Sequence, residues 1–387
     1  MGITHPPTHA APRRVCVFRA LKLGDMVCAT PALRALRQRF ALAHITLVGL
    51  PWARDFAARL SPWVDEFIEF DGHPQLPERP APQAVFEAWA ARMQARGFDL
   101  ALQMHGSGPL SNRIVRAIGA RTTAGFFPAG GSWEGLDIAL QYPDGIHEVH
   151  RHLRLVQCLG GPLDERPDDR VVFPLLARDT EELARHPDLA RLVPGRFVCL
   201  HPGARQPEKR WPPHRFAAVG DALARRGFEV VLTGDASEQR LAEAVRRMMA
   251  ARAVNAARDL SVGALAALLA RSRLLVSNDT GVAHIAAALR LPSVVIFFAT
   301  DRVRWAPLDA QRHRCVEPLK AGRPASAGVL PEDVLSAVQE VLKEPWRPEA
   351  ITLSAPPAAP EGPALPAFPA AWHRPEPAPR TAAGPTQ

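Results

Sequence analysis

Short apolar runs alternate with helix-period segments along this chain, and the alternation starts twice. In the first array the runs at 15–18, 44–50, 67–70 and 100–103 read as strands, with helices from about Thr30 and over 84–96. The second opens at 196–200 and continues through 228–232, 274–276 and 293–297, with helices over 213–226, 238–249, 261–270, 281–289 and 331–343. Strands interleaved with helices build a parallel sheet, because each parallel pair needs a crossover long enough to hold a helix. Two arrays therefore predict an α/β chain of two doubly wound, Rossmann-like domains facing a central cleft. At 387 residues the chain is long enough to give each its own core.

A stretch punctuated by Pro167, Pro174, Pro187 and Pro194 separates the arrays. The expected bounds are 13–172 for the first domain, 173–194 for the linker and 195–345 for the second domain. Residues 346–387 are dominated by Pro and Ala and offer little to bury, so they predict a disordered tail outside the fold, as residues 1–12 predict a disordered lead.

The net charge of +8, carried mostly by arginine, suits an anionic partner. Nucleic acid is the weaker choice: there is one tyrosine, and no compact Lys/Arg block interleaved with aromatics. Arg, Asp or Pro interrupts every apolar segment before it reaches spanning length, and the first residues show no signal-peptide core, which predicts a cytoplasmic protein. The five cysteines, Cys16, Cys28, Cys158, Cys199 and Cys315, are scattered through apolar surroundings and read as reduced core thiols, with neither disulfide nor metal-ligand spacing.

In open parallel sheets, ligands bind beyond the carboxyl ends of the strands. Three polar turns stand there. The first holds Gly24-Asp25, where a carboxylate facing the cleft suits a general base on a hydroxyl and equally suits a helix cap. The second runs from His201-Pro202-Gly203 to Lys209-Arg210-Trp211-Pro212, with the glycine and cations of a phosphate cradle but no Walker sequence. The third, Asn278-Asp279-Thr280-Gly281, opens a helix whose free N–H groups attract an anion, with His284 one turn on. Asp279 and His284 have capping and core readings as alternatives. No Gly-x-Ser-x-Gly sequence for hydrolase chemistry occurs.

In this order and spacing the three turns resemble glycosyltransferase family 9, the ADP-heptose:lipopolysaccharide heptosyltransferases. The residues that carry the resemblance are Leu23-Gly24-Asp25 with Thr30-Pro31-Ala32-Leu33, His201-Pro202-Gly203 with Lys209-Arg210-Trp211-Pro212, and Asp279-Thr280-Gly281 with His284. A weaker match runs through Phe98-Asp99-Leu100, Gly119-Ala120 and Ala124-Gly125-Phe126, so that the resemblance spans about 13–343. It implies a GT-B architecture and an inverting transfer, with an ADP-sugar as co-substrate, an anionic glycolipid as acceptor, no required cofactor or metal, and peripheral contact with the cytoplasmic face of the inner membrane. Carried over residue by residue, Asp25 is the base, Lys209 grips the diphosphate, and Asp279, Thr280, Gly281 and His284 line the donor site. Glu238 is the first candidate for the acidic residue that holds the ribose, and Asp235 the second. Arg19, Lys22 and Arg113 are candidates to meet the acidic acceptor. Gly203-Ala204 departs from the hydroxyl residues that many members carry in that loop. Two other functions fit these residues: the same chemistry on another nucleotide-sugar or acceptor, and a non-catalytic sugar-nucleotide binding module.

Overall fold

A computed structural model describes residues 11–132, 135–160, 167–298, 300–318, 328–343 and 345. In the first half the strands are β1 (Arg14–Phe18), β2 (His44–Gly49), β3 (Glu66–Glu69), β4 (Leu100–Gln103), β5 (Thr122–Phe127) and β6 (Ile138–Gln141). The helices between and after them are α1 (Leu23–Arg39), α2 (Ala53–Ala58), α3 (Gln83–Gln94), α4 (Pro109–Ala117) and α5 (Glu148–Gln157). Two helices follow in the connecting stretch, α6 (Ala177–Ala184) and α7 (Pro187–Ala190). The second half holds β7 (Phe197–His201), β8 (Glu229–Leu232), β9 (Ala253–Asn255), β10 (Leu275–Asn278), β11 (Ser293–Ile296) and β12 (His313–Val316). Its helices are α8 (Pro213–Arg225), α9 (Gln239–Met248), α10 (Val262–Arg271), α11 (Gly281–Ala288), α12 (Arg302–Trp305) and α13 (Pro331–Val341).

The strand order is β3-β2-β1-β4-β5-β6 in one sheet and β12-β11-β10-β7-β8-β9 in the other, with every described pairing parallel. The two orders are the same walk from the middle outward. β1 lies between β2 and β4, with Cys16 opposite both Thr46 and Ala101, and β7 lies between β8 and β10. Each is a point where successive connections turn to opposite sides, leaving a crevice at the carboxyl ends. Val15 to Phe18 are buried on both faces, as a central parallel strand requires.

One apolar core runs through both halves, joining Val15, Leu33 and Leu36 to Phe197, Leu269 and Ile285. Cys16, Phe18 and Trp89 form a separate layer on the other face of the first sheet, and Val198, Trp211 and Phe216 do so on the second. The connecting stretch is fastened to both halves. Arg59, the C-cap of α2 and 1% exposed, is held by Asp179 of α6 and by Asp55, and its guanidinium and the Asp179 carboxylate lie so close to Gly263 of α10 that a β-carbon there would collide with them.

α1 starts at Leu23, not near Thr30, and this shifts Asp25 from a loop into the first helical turn. Pro31, expected at the helix start, is inside it. A proline there leaves the carbonyl four residues earlier without its N–H. The Thr30 hydroxyl donates to that carbonyl, Val27 O, at 2.7 Å, and accepts from Val172 N at 3.0 Å. β10 reaches Asn278, so the third turn begins one residue before Thr280. The expected tail 346–387 and residues 1–10 of the lead lie outside the described residues. No described helix is long and apolar enough to cross a membrane.

Candidate functional site

Arg19 follows β1 directly and is 1% exposed. Its Nε and Nη2 donate to the carbonyl of Asp25 at 2.9 and 2.6 Å, and its Nη1 donates to Met104 O. The same Nη2 lies 3.9 Å from Asp25 Oδ1, and the Asp25 carboxylate stays one-quarter exposed at the crevice. Its guanidinium is committed to main-chain carbonyls, and these contacts fix the Asp25 turn. Lys22, at the N-cap of α1, is exposed. Partial burial and the nearby Arg205 lower its pKa, against Glu78 and Asp25, which raise it. Arg113 is exposed on α4, donates to Pro109 O of its own helix, and its charge lowers the pKa of His73 further than burial alone.

On the second sheet, Asn278 ties the second turn to the third. Its Oδ1 accepts from Trp211 N at 2.9 Å, and its Nδ2 donates to Pro202 O and Gly203 O at 2.9 and 3.2 Å. It carries no separate role in the sequence reading, although an amide able to donate and accept at once is the residue type such a junction needs. Trp211 then anchors the end of the cradle, donating from Nε1 to Val329 O.

Glu238 approaches the same loop from the β8 side. A β-carbon on Gly203 would lie 2.1 Å from its Oε1, so only glycine admits this carboxylate. Oε2 accepts from Asp235 N at 3.2 Å and lies 3.7 Å from His201 Nε2. Burial pushes the Glu238 carboxyl pKa up, against the hydrogen bond from Asp235 N, which lowers it. Asp235, the second candidate, is spent on its own helix turn, accepting from Ser237 N, Ser237 Oγ and Glu238 N. His201 donates or accepts at Nδ1 with Thr233 Oγ1 at 3.0 Å; burial lowers its pKa to about 4.

Lys209 Nζ stands 3.7 Å from Asp279 Oδ2, the same oxygen that accepts from Thr300 Oγ1 at 2.6 Å. Thr300 was not singled out from sequence. Asp279 is 5% exposed, and Thr280 is the extended N-cap of α11 with no side-chain bond back to the helix, which leaves the first N–H groups of α11 without a side-chain cap. Gly281 packs on Leu23, at 3.2 Å from a β-carbon placed on it, and Gly24 packs on His284. The first turns of α1 and α11 are therefore in direct contact. The His284 ring is also 3.5 Å from Cys28 Sγ through Nδ1 and meets the edge of Trp305, with ring centres 6.0 Å apart. Burial lowers its pKa, opposed by Asp279 and Asp25.

Glu148, the first residue of α5, was missed entirely. Its side chain is 3% exposed and is surrounded by Arg151, His152 Nε2 at 3.0 Å, Arg19 Nη2 at 3.6 Å and Arg304 Nε at 3.0 Å. Against burial, the hydrogen bond from His152 and the Arg19 and Arg304 guanidinium groups hold its carboxyl far below the usual range. The visible signal was a Glu at the head of a run holding His147, His150, Arg151 and His152, which a search for strand-end turns does not sample.

A carboxylate at the end of one sheet thus faces a cation, a carboxylate and an uncapped helix start at the end of the other, a layout suited to transfer between two bound molecules. The sequence model of glycosyltransferase family 9 (heptosyltransferase) matches residues 87–325, a span that starts after Asp25. Lipopolysaccharide heptosyltransferase 3 of Escherichia coli K12 is 26% identical over 83% of this chain and 96% of its own length. Lipooligosaccharide heptosyltransferase 2 of Haemophilus ducreyi is 26% identical over 75% and 84%. Among solved structures, a family 9 glycosyl transferase from Veillonella parvula superposes with a TM-score of 0.71 at 21% identity, covering 86% of this chain and 97% of its own. The E. coli ADP-heptose LPS heptosyltransferase II gives 0.68 at 21%, covering 85% and 98%. With most of the second half and much of the first matched, and with both sheets in the GT-B arrangement of these structures, the chain belongs to glycosyltransferase family 9, the heptosyltransferases.

Proposed function

We propose that the protein moves a heptose from ADP-heptose to an anionic glycolipid acceptor of the lipopolysaccharide inner core, with inversion at the anomeric carbon. The observation that carries this reading is the contact of Gly24 with His284, which brings Asp25 beside the turn that opens α11. The names of the relatives support the sugar and the acceptor class, and a further E. coli heptosyltransferase of the same fold was solved with ADP.

In this scheme the first half, 13–172, takes the acceptor and the second, 195–345, takes the donor. Asp25 accepts the proton of the acceptor hydroxyl as its oxygen bonds to the anomeric carbon. The bond from that carbon to the diphosphate breaks, and its electron pair leaves with ADP. Lys209 and the α11 N-terminus at Thr280-Gly281 stabilise the charge that develops there. Asp279 holds Lys209 in place, His284 forms the floor between donor and base, and Glu238 accepts from the ribose hydroxyls. Lys22 and Arg113 meet acidic groups of the acceptor, whereas Arg19 orients Asp25. An acceptor anchored in lipid places the reaction at the cytoplasmic face of the inner membrane.

Asp25→Asn tests the base. Transfer should fall by about a hundredfold or more, the scale of a lost general base, while ADP titrates with nearly unchanged affinity. Wild-type turnover in this variant rejects the assignment. A donor panel tests the sugar nucleotide, and turnover with no ADP-sugar rejects ADP-heptose.

A further inference from the structure

We infer that Glu148 is a positioning residue that links Arg304 of α12, through Arg19, to the orientation of Asp25. The inference rests on Asp25 as the base. Two ties cross from α12 and the residue after it to the head of α5. Arg304 Nε donates to Glu148 Oε2 at 3.0 Å, and Ala306 O accepts from His147 Nε2 at 2.8 Å. His147 Nδ1 accepts from Val149 N, so the ring proton sits on Nε2 and the neutral imidazole is the donor in the second tie.

From Glu148 the path continues inward. Oε1 lies 3.6 Å from Arg19 Nη2, and Arg19 donates twice to the Asp25 carbonyl. Arg19, Glu148 and Arg151 are each 2% exposed or less at the residue level, so this cluster is excluded from solvent and its geometry is set by mutual pairing. Arg304 differs: its side chain is one-third exposed. It lies over the Trp305 ring at 4.6 Å, and Trp305 in turn meets His284. The α12 segment therefore completes the partners of Glu148 and borders His284. Without the Arg304 guanidinium, Glu148 loses a cation and pulls harder on Arg19. Among the described residues, the charged and titratable groups that act on this centre include Arg19 after β1, Lys22 before α1, Cys28 of α1, Tyr142 after β6, His147, Glu148, Arg151 and His152 at α5, Asp279 and His284 at α11, Lys209 in the cradle, and Arg304 of α12.

The test is Arg304→Gln beside Arg304→Lys. Glutamine removes the charge at a position one-third exposed and leaves Arg19, Arg151 and His152 around Glu148. The expected result is a kcat about tenfold lower, as for a small misplacement of a catalytic group, with ADP affinity and melting temperature close to wild type. Lysine should restore most of the loss. Unchanged kcat in Arg304→Gln, or equal loss in both variants, overturns the coupling. Glu148→Gln keeps the side-chain volume and should lower kcat further, and Arg304→Gln added to it should cost nothing more, because both act on one path. Full additivity overturns the path; if Glu148→Gln does not fold, the Arg304 pair decides alone. Asp25→Asn separates the two readings. If it keeps turnover, the base assignment fails; if it is inactive while Arg304→Gln is normal, only the coupling fails.

Discussion

A β-carbon added to Gly24 would lie 2.7 Å from Cδ2 of His284. Gly24 comes just before the candidate base, and His284 belongs to the donor half. The absence of one methyl group is what lets the two helix starts meet.

Gly24→Ala should therefore damage the site from both sides. The ring cannot retreat freely, since Cys28 and Trp305 border it. Overpacking of this kind costs about 1–3 kcal/mol. The expected outcome is a lower melting temperature and at least a tenfold loss of transfer. A variant that melts and turns over like wild type would show that the contact is soft.

Asn278→Ala removes two donors and one acceptor at once and strands Trp211 N–H and the Pro202 carbonyl in the interior. Buried groups left unpaired cost about 1–3 kcal/mol each. Loss of several kcal/mol in denaturant unfolding is expected, with weaker ADP binding in whatever protein remains folded. A change under 1 kcal/mol would mean that water replaces the amide.

Gly203→Ala drives a methyl group into the Glu238 carboxylate. Calorimetric titration should find ADP affinity lowered about tenfold or more, the scale of a lost charged hydrogen bond. Adding Glu238→Ala should recover the melting temperature without recovering the affinity. Recovery of both would remove Glu238 from the ribose contact.

Stability should fall as the pH drops below about 6.5. Burial lowers the pKa of His147, His152, His201 and His313 to about 4, and that of His105 to about 3. Unfolded histidine protonates near 6.5, so between these values the unfolded chain binds more protons and protonation favours it. The stabilisation is complete above the unfolded pKa and is lost toward the folded one, at up to about 1.4 kcal/mol per pH unit for each ring. Carboxylates with lowered pKa, such as Asp179, add their loss only below about pH 4. Melting curves from pH 7.5 to 5 should show the decline, and His313→Gln, which is distant from the crevice and bonded to Ser293, should flatten it. A flat wild-type profile refutes the account.

The central strands were legible because buried parallel strands write continuous apolar runs, such as Val15 to Phe18, and because glycine and proline mark their ends; the outer strands β5, β6, β9 and β12 were not read from the sequence. The three turns were legible for the same reason. What escaped was set by contacts distant in sequence. Pro31 pointed to a helix start, since nothing local shows that the Thr30 hydroxyl takes over for the missing N–H. The proline-rich connection hid α6, which forms around the Arg59–Asp179 pair. Arg19 read as a free cation at a strand end, yet its partners come from α1, the residue after β4, and α5. Glu148 and Arg304, 156 residues apart, had no pattern linking them.

The apolar core that joins Leu36 to Ile285 has a thermal consequence. A molecule whose two sheets share one interior has no natural line along which to come apart. Heating should yield one calorimetric transition with matching van't Hoff and calorimetric enthalpies, not two. ADP, which in the proposed scheme touches only the second half, should then slow amide exchange in β1 and α1 by nearly as much as in β10 and α11, because ligand free energy counts against every route to the unfolded chain.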